Sequence, residues 1–290
     1  MTVQAGVQLD NCGETLKLAA PAQRVIAMNQ HASEALLTLG LAPQMIGTAY
    51  QDDEIRPDLK ANYDAIPRLS REYPSPEQVL LSGTDLVVGG FASAFRAMGI
   101  GSREIWHGRG IPTYLFESAC RPEGVSIEAL YLDMLNLGRL TGRESEAKAW
   151  VQGQRARLAA LAESQGRRPR VLLWLREYQL PYVAGCCGVG NLIIEAAGGI
   201  NVAAEIGRPW GHLSWEAVAA AQPDLILMVD SNWSPYEKKW QALATHPLLS
   251  RLTAVRQQQL ATLAFSEVVG GVRLLDGIER LHHTIVEWRG

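Results

Sequence analysis

The chain has 290 residues, 47% hydrophobic and 20% charged, a composition typical of a globular protein with a substantial core. Its net charge of −3 excludes a strongly basic surface for nucleic acid or anionic lipid. No apolar run reaches the roughly eighteen residues that a membrane-spanning helix needs. The first residues lack the basic and apolar segments of a signal peptide, so the protein is either cytosolic or has had its leader removed.

Short apolar runs alternate with helical patterns in the first part of the chain. Strands are predicted at 24–29, 43–50, 85–88 and 113–116, and helices at 31–39, 75–81 and 103–109. The segment 51–70 is polar and rich in proline and aspartate, which favours a loop. This alternation predicts βαβ units and a largely parallel sheet.

The middle of the chain, 126–165, carries a long helical pattern. Apolar residues recur at three- and four-residue steps from Ile127 to Leu140, and a second helical stretch follows Thr141-Gly142. Forty helical residues would reach roughly 60 Å at about 1.5 Å per residue, longer than one small domain is wide. We therefore expect a rigid helical connection between two lobes.

The same alternation returns after this segment. Strands are predicted at 170–175, 224–229 and 259–264, and helices at 191–197, 214–220, 240–252 and 271–288. The two halves also share a short motif: Ser75-Pro76-Glu77 precedes Asp85-Leu86, as Ser214-Trp215-Glu216 precedes Asp224-Leu225. In both copies the glutamate stands eight residues before the aspartate, which suggests two related lobes.

Several segments, in order and in both halves, resemble the substrate-binding proteins of ABC importers for siderophores, haem and cobalamin. They are RVIAMNQHASEALLTLGLAPQMIGT (24–48), SPEQV and DLVV (75–88), AGGINVA (197–203) and SWEAVAAAQPDLIL (214–227). The resemblance implies two Rossmann-like α/β lobes with central parallel sheets, connected by a long rigid α-helix. The predicted limits are 1–123 for the N-terminal lobe, 124–168 for the connecting helix and 169–290 for the C-terminal lobe.

The resemblance also implies a function. A periplasmic, monomeric protein of this family captures an iron-siderophore, haem, cobalamin or similar metal chelate in the cleft between its lobes, requires no cofactor, and delivers the ligand to a permease in the inner membrane. Glu77 and Glu216 match the family's exposed glutamates, which meet arginines of the permease. Exposed carboxylates at helix starts suit charge-assisted pairs with arginine, although Ser-x-Glu is also an ordinary helix start.

The predicted ligand contacts lie where the strands of each lobe end. In open α/β sheets, ligands bind beyond the carboxyl ends of the strands. The loops there are rich in aromatic side chains, which suit a large planar or chelated ligand but also serve as core caps. The candidate residues are Asn29, Gln30, His31, Tyr50, Arg71, Tyr73, Phe91, Trp174, Arg176, Tyr178, Trp210, His212, Trp233, Phe265 and Glu267.

Two kinds of side chain among these candidates have particular chemistry. Arg71 and Arg176 could hold an anionic group of the ligand, because the planar guanidinium suits carboxylates, although each is also an ordinary loop residue. His31 and His212, one from each lobe, could ligate the metal of a bound chelate; a solvated or structural role is the alternative.

The four cysteines need two explanations. Cys12 and Cys120 match positions in a subgroup of the family, which implies a disulfide between them and therefore an oxidising compartment. Cys186-Cys187 departs from the family pattern and is expected to be unpaired, because adjacent cysteines seldom bond without strain. The pair could be reduced thiols, soft ligands to a thiophilic metal, or small residues in a tight loop.

An enzyme is not indicated. The sequence has no Gly-rich phosphate loop, no Gly-x-Ser-x-Gly elbow and no His-Glu-x-x-His motif. The alternatives are a binding protein for a free metal cation with the same fold and, from another class, a two-lobed metallocluster enzyme subunit. The latter would need cysteines of both lobes to converge on a cluster, and their spacing here is poor.

Overall fold

A computed structural model describes residues 6–121, 124–161, 167–176 and 179–288. The chain divides into two compact units. The first unit contains Met1–Arg121, Ile127–Arg155 and Gly270–Val272, and the second contains Pro122–Ser126, Ala156–Val269 and Arg273–Gly290. Among the described residues, no helix combines the length and the apolar character that crossing a membrane requires.

The first unit opens with a β-hairpin that the sequence patterns did not predict. Strands β1 (Val7–Asn11) and β2 (Glu14–Leu18) pair in antiparallel fashion. Cys12 and Gly13 form the two-residue turn, and both have positive φ angles, 55° and 82°. Two successive positive φ angles define the primed turn whose twist matches that of a hairpin.

The rest of the first unit is an α/β fold around a five-stranded sheet. The strands are in the order β5-β4-β3-β6-β7, and every pair is parallel. The elements are β3 (Val25–Ala27), α1 (Gln30–Thr38), β4 (Met45–Ala49), α2 (Pro57–Asp64), β5 (Arg68–Ser70), α3 (Pro76–Leu81), β6 (Leu86–Gly89), α4 (Arg103–Gly108), β7 (Thr113–Leu115) and α5 (Glu117–Cys120). Short 3-10 helices span Ala42–Gln44 and Ala92–Phe95. The predicted parallel sheet is confirmed, but the loop predicted at 51–70 is wrong, since α2 and β5 lie there.

Both faces of this sheet are covered. Along β3, Val25 and Ala27 pack into one apolar cluster, whereas Ile26 packs into another. Successive residues of a strand point to opposite faces, so a strand buried on both sides is apolar at every position. This explains why the apolar runs of this half are continuous rather than alternating.

The connecting segment is helical, and the interruption predicted at Thr141-Gly142 separates two helices, whereas the resemblance implied a single long helix. Helix α6 covers Ile127–Thr141 and α7 covers Glu144–Ala160. The chain turns at Gly142, whose φ angle is +73°, a conformation that favours glycine and ends a helix. The boundary between the two units falls inside α7, after Arg155.

Helices α6 and α7 run antiparallel, so they do not form the extended 60 Å rod that the length of the pattern suggested. Early residues of α6 meet late residues of α7: Arg155 donates to Glu128 at 2.7 Å. The rings of Tyr131 and Trp150 are 6.3 Å apart. At the turn, Gly138 leaves room for the Ala147 side chain, because a Cβ on Gly138 would lie 2.7 Å from the Cβ of Ala147.

The second unit is built on a six-stranded sheet. Its strands run in the order β11-β9-β8-β12-β13, and β10 pairs with the start of β8. The elements are β8 (Arg170–Arg176), β9 (Tyr182–Ala184), α8 (Val189–Ala196), β10 (Ile200–Asn201), β11 (Trp210–His212), α9 (Trp215–Ala221), β12 (Leu225–Asp230), α10 (Tyr236–Thr245), α11 (Thr253–Arg256), β13 (Leu260–Ala264) and α12 (Leu274–Glu287). Leu249–Arg251 and Phe265–Glu267 are 3-10 helices.

This second sheet is parallel only in part. Strands β8, β12 and β13 are parallel, but β9 returns antiparallel to β8, and β11 is antiparallel to β9. The central parallel strands confirm the predicted sheet, and the antiparallel edge is a feature that the sequence patterns did not predict. It also brings residues of β9 and β11 beside the carboxyl end of β8.

Candidate functional site

The candidate residues of the first unit follow the carboxyl ends of its parallel strands. Asn29 comes after β3, Tyr50 after β4, and Phe91 after β6. We call Asn29, Tyr50, Tyr73, Phe91 and Ser93 the first-unit cluster. The topology of the sheet therefore brings together residues that lie far apart in the sequence, as predicted for an open α/β sheet.

Asn29 is the centre of the hydrogen bonding in this cluster. The side chain is fully buried, and its Oδ1 accepts from the backbone amides of Gly90 at 3.0 Å and Phe91 at 3.3 Å. Its Nδ2 donates to the Tyr73 hydroxyl at 3.2 Å, and that hydroxyl lies 2.6 Å from Ser93 Oγ. Burial raises the pKa of Tyr73, so its hydroxyl stays neutral. Asn29 thus holds three loops of the cluster together.

Tyr50 completes the cluster from the neighbouring strand. Its ring centroid is 4.8 Å from that of Tyr73. Its φ angle is +51°, which is rare for a bulky residue and is often found at functional sites. Burial also raises the pKa of Tyr50. The half-buried rings of Tyr50, Tyr73 and Phe91 give this unit an aromatic surface.

His31 lies beneath this surface. It is 2% exposed, and its ring is 4.5 Å from Phe91 and 5.4 Å from Phe116, edge to face. Burial lowers the pKa of His31 to about 4, so the imidazole is neutral near pH 7. The position of Gly90 requires a glycine, because the His31 ring fills the space that a Cβ would occupy. His31 supports Phe91 in the core, so the expected direct ligand contact is not what the geometry favours.

Gln30 has a structural role in the first unit, whereas the role predicted for Arg71 stays a prediction. Gln30 is buried, and its Oε1 accepts from the amides of Asp52 at 2.9 Å and Asp53 at 3.0 Å. Its amide group thereby fixes the loop that follows Tyr50. Arg71 is exposed, so a role in holding an anion stays a prediction.

The candidate residues of the second unit form a continuous row of rings. Arg176 ends β8, and Tyr182 faces it from β9. The Arg176 guanidinium lies 4.9 Å from the Tyr182 ring centroid and 6.0 Å from that of Trp233. His212 lies 4.9 Å from Tyr182, and Phe265 lies 5.0 Å from Trp233. We call Arg176, Tyr182, His212, Trp233 and Phe265 the second-unit cluster.

Trp210 extends this row along β11. Its ring stacks on Tyr182 with centroids 6.5 Å apart and planes inclined by 22°. The cluster therefore joins the ends of β8, β12 and β13 to the antiparallel edge formed by β9 and β11. A guanidinium over aromatic faces is a favourable cation–π arrangement, and Arg176 is half-buried beside these rings.

Trp233 is presented by a tight turn of residues 231–234. Ser234 N donates to Ser231 Oγ at 3.1 Å. The fully buried ammonium of Lys239 donates to Ser234 O at 2.8 Å and to Ser234 Oγ at 2.7 Å. A buried lysine is uncommon and needs such partners. Lys239 therefore anchors the turn that leaves Trp233 41% exposed.

Two predicted contacts of this unit belong to its core instead. Trp174 is 1% exposed, its Nε1 donates to Arg176 O at 2.9 Å, and its ring lies 5.7 Å from that of Trp215. Glu267 is 2% exposed, accepts from Arg280 and from the Ala264 amide, both at 2.8 Å, and has its pKa raised by burial. Burial on this scale argues against direct contact of Trp174 or Glu267 with a ligand. Tyr178 lies outside the described residues.

Sequence reasoning missed Tyr182, Ser93 and Lys239. Tyr182 lies in the three-residue strand β9, which is too short to show a period. Its position in a strand that returns beside Arg176 becomes visible only with the antiparallel pairing. Ser93 and Lys239 lie in helical segments whose sequence gives no sign of a nearby cluster.

Glu77 and Glu216 occupy equivalent positions in the two units. Each stands second in its helix after a serine cap, since Ser75 Oγ accepts from the Gln78 amide at 3.2 Å and Ser214 Oγ accepts from the Ala217 amide at 3.1 Å. Both glutamates are exposed. A hydrogen bond from its own backbone amide lowers the pKa of Glu77, which is therefore ionised at neutral pH.

The cysteines confirm one prediction and correct another. Cys12 and Cys120 form the predicted disulfide, with their Cα atoms 5.4 Å apart. Cys186 and Cys187 were expected to be unpaired, but they are bonded to each other, with Cα atoms 3.7 Å apart. The loop accommodates this bond because Cys187 adopts a φ angle of +62° between Gly185 and Gly188. Cys187 is thus the residue of the pair that adopts a left-handed backbone conformation.

The described residues contain one close group of potential metal ligands. It consists of Cys12, Glu117 and Cys120, and the two sulfurs of this group are already joined in the disulfide. Neither His31 nor His212 belongs to it. Aromatic and polar contacts, rather than converging metal ligands, therefore dominate both clusters.

Comparisons with known proteins agree with this architecture. The profile of a family described as "Periplasmic binding protein" matches residues 25–266. A solved periplasmic binding protein from Veillonella parvula has a TM-score of 0.86 and 28% identity, with 97% of each chain covered. A structure from the ABC-type Fe3+-hydroxamate transport system of Saccharomonospora viridis has a TM-score of 0.80 and 23% identity, covering 96% of this chain and 98% of the other.

A curated relative gives a narrower match. The cobalamin-binding protein of Halobacterium salinarum is 32% identical over 124 residues, which are 41% of this chain and 31% of that protein. The matched region thus spans about a third of the relative's length. With the family profile covering most of the chain and the two α/β units described above, the chain belongs to the periplasmic binding protein family.

Proposed function

We propose that this protein is the substrate-binding protein of an ABC importer and that its ligand is an organic metal chelate, such as a ferric siderophore, haem or a corrinoid. The family supports the importer class. Similar proteins bind such ligands: the relative from Halobacterium salinarum is named for cobalamin, and the similar structure from Saccharomonospora viridis belongs to an Fe3+-hydroxamate transport system. The proposal places the protein in the periplasm, where the Cys12–Cys120 disulfide is stable.

The observation that carries this proposal is the second-unit cluster. Its aromatic side chains end adjacent strands, and Arg176 lies over two of the rings. Metal chelates of this kind are large, often flat, and many carry carboxylates. Aromatic faces bind the flat part through offset contacts, and a guanidinium pairs with carboxylate oxygens in a planar, two-pronged geometry.

The first-unit cluster supports the same ligand class. Its neutral hydroxyls on Tyr50 and Tyr73 can donate to carbonyl or hydroxamate oxygens. The Asn29 network holds the Tyr73 hydroxyl and the loop that carries Phe91 in fixed positions. Groups that are already ordered lose little conformational entropy when the ligand binds, so less of the binding free energy is offset.

A binding protein for a free metal cation is the second candidate, and it is less well supported. A cation site needs several carboxylate, imidazole or thiolate ligands that converge. His31 is buried among aromatic rings, and the thiols of Cys12 and Cys120 are joined in a disulfide. The protein accordingly acts through binding and release, without turnover of its ligand.

A ligand titration tests the proposal. Purified protein is titrated with haem, cobalamin and a panel of ferric siderophores while tryptophan fluorescence is followed. We expect saturable quenching with one member of the panel. Trp233→Ala and Tyr182→Ala should each weaken that binding at least tenfold, equivalent to about 1.4 kcal/mol. Trp240→Ala is the matched control, because Trp240 is 38% exposed and belongs to α10 rather than to the cluster.

Two outcomes would contradict the proposal. One is that no chelate of the panel binds while a free transition-metal ion binds tightly. The other is that the protein converts a small molecule catalytically. If a chelate binds but Trp233→Ala and Trp240→Ala behave alike, the ligand is correct and the second-unit cluster is not its site.

A further inference from the structure

The Cys186–Cys187 disulfide lies at a junction of three segments of the second unit. The loop of residues 185–188 connects β9 to α8, and both cysteines are half-buried. The Cys186 amide donates to the Ile206 carbonyl at 3.0 Å. The Cys187 carbonyl accepts from the amides of Gly124 at 2.6 Å and Val125 at 3.3 Å. The conformation of this loop therefore fixes two further stretches of chain.

The backbone of Cys187 depends on the bond between the two sulfurs. Its φ angle of +62° lies in the left-handed region, which non-glycine residues seldom adopt. Joining adjacent side chains closes a small ring and restricts both residues to unusual conformations. Once the ring opens, Cys187 is free to return to a negative φ angle, and its carbonyl turns away from Gly124 and Val125.

The position of the sulfurs also favours their reduction. Cys187 immediately precedes Gly188, which caps the eight-residue helix α8. The positive end of a helix stabilises a thiolate, which makes a cysteine there a better leaving group and favours the reduced state. Neither cysteine residue is fully buried, so a small dithiol can reach this loop from solvent.

Opening this disulfide should leave the fold intact. A disulfide stabilises a protein mainly by restricting the unfolded chain, and the effect grows with the length of the closed loop. Cys186 and Cys187 are adjacent, so their bond restricts only these two residues and leaves the rest of the unfolded chain as free as before. Cys12 and Cys120 are separated by 108 residues, so their bond restricts the unfolded chain far more.

We propose that Cys186–Cys187 is a thiol–disulfide exchange site that a dithiol reductant opens while the rest of the protein stays folded. A thiolate of the reductant attacks one sulfur and forms a mixed disulfide, releasing the other cysteine as a thiolate. The second thiol of the reductant then displaces the first cysteine. Two electrons and two protons pass to the cysteines, which become thiols, and the reductant leaves as its own cyclic disulfide.

Differential alkylation of the wild-type protein tests the order of reduction. The oxidised protein is exposed briefly to a limiting amount of dithiothreitol, alkylated, and mapped by peptide mass spectrometry. We expect Cys186 and Cys187 to be alkylated at least tenfold faster than Cys12 and Cys120, with far-UV circular dichroism unchanged. Hydrogen exchange at the amides of Gly124 and Val125 should accelerate at least tenfold in the same sample, because their acceptor moves.

A pair of double variants provides the control. Cys186→Ser with Cys187→Ser should show fast exchange at Gly124 and Val125 without reductant and should no longer respond to it. Cys12→Ser with Cys120→Ser should keep the response of those two amides.

Three results would overturn the proposal. They are alkylation of Cys186 and Cys187 before any reductant is added, reduction of Cys12–Cys120 first, and reduction of Cys186–Cys187 with no change in exchange at Gly124 and Val125. All three are read on the wild-type protein, so the test does not depend on the folding of any variant or on any ligand.

Discussion

Asp224 accepts a hydrogen bond from the backbone amide of Arg170 at 2.8 Å, and the Arg170 guanidinium donates to the Ala221 carbonyl at 2.8 Å. This pair ties the start of β8 to the end of α9. Asp85 and Arg24 repeat the arrangement in the first unit, where Arg24 donates to the carbonyls of Ser82 and Gly83. The recurrence supports the internal repeat that the sequence motif suggested.

Removing either aspartate should destabilise its own unit. Asp85 accepts from the amides of both Gln23 and Arg24, at 2.8 Å and 2.9 Å. A hydrogen bond to a charged acceptor contributes roughly 1.5–3 kcal/mol, and less where water can replace it. We expect Asp85→Ala and Asp224→Ala each to lower the free energy of unfolding by about 1–2 kcal/mol, as measured by urea denaturation. Asp64→Ala is the control, since Asp64 is exposed and pairs only with an adjacent turn through Lys60.

Acid should destabilise the first unit through His31. Burial lowers the pKa of His31 from 6.5 to about 4, so below about pH 6.5 the unfolded chain binds a proton that the folded protein does not. The free energy of unfolding therefore has its full contribution from neutral His31 above pH 6.5. It loses that contribution, up to about 3 kcal/mol, as the pH falls toward 4. Unfolding free energies measured from pH 7 to pH 4 should show a steeper fall in the wild type than in His31→Gln.

His283→Gln is the matched control for that measurement, because His283 is exposed on α12. It should follow the wild-type pH profile. Identical profiles for wild type and His31→Gln would show that the pKa of His31 is the same in the folded and the unfolded protein, contrary to the expected lowering by burial.

Lys239 should affect ligand binding although its side chain is buried. Lys239→Met removes the ammonium that holds the 231–234 turn, while the longer aliphatic part of the side chain is preserved. The change removes the donor of two buried hydrogen bonds to Ser234, and the loss of a hydrogen bond from a charged donor costs roughly 1.5–3 kcal/mol. We therefore expect a lower melting temperature and, in the protein that is still folded, a ligand affinity reduced about tenfold, because Trp233 is no longer held in place.

Lys238→Met is the control for this effect, since Lys238 is the exposed neighbour on the same helix. It should bind ligand as the wild type does. A Lys239→Met protein with unchanged affinity would show that the turn orders Trp233 without help from the ammonium.

Glu77 and Glu216 should matter for transport and not for ligand binding. Exposed carboxylates contribute about 0–1 kcal/mol to folding, whereas loss of one partner from a desolvated arginine pair in an interface costs roughly 2–5 kcal/mol. Replacing both by alanine should leave ligand affinity and melting temperature unchanged and abolish uptake in vesicles that contain the permease.

The double variant Glu144→Ala with Glu237→Ala is the control, since both residues are exposed first-turn glutamates with no serine two positions before them. It should support normal uptake. A Glu77 and Glu216 double variant that transports normally but melts earlier would identify both residues as helix caps.

Most of the first unit could be predicted because its strands are buried on both faces. A short continuous apolar run such as Leu86-Val87-Val88, with Asp85 before it and Gly89-Gly90 after it, is typical of a buried strand. Helix α2 was missed because its polar face dominates and only Leu59 and Tyr63 are buried. The direction of α7 was missed because a helical period gives the length of each helix but not the angle of the turn at Gly142.

The positions of the candidate residues at strand ends were predictable, and the burial of each residue was less so. Trp233, Phe265 and Arg176 could be placed at strand ends from the chain order alone. Burial decides whether such a residue is a surface contact or a core cap, and burial depends on residues distant in sequence. Trp174 and His31 are therefore core residues, although their chain positions are equivalent to those of exposed neighbours.

The first unit takes its core from three separate stretches of chain. Its apolar cluster includes Leu137 and Leu140 of α6, Val151 of α7, and Val272 from near the C-terminus. A fragment that ends at residue 123 would therefore lack one wall of its own core, and the buried Tyr114 hydroxyl would lose the Asp133 carboxylate of α6, to which it donates at 2.7 Å. Studies of this unit in isolation would need a rearranged gene that supplies α6, α7 and the 270–272 segment to the same polypeptide.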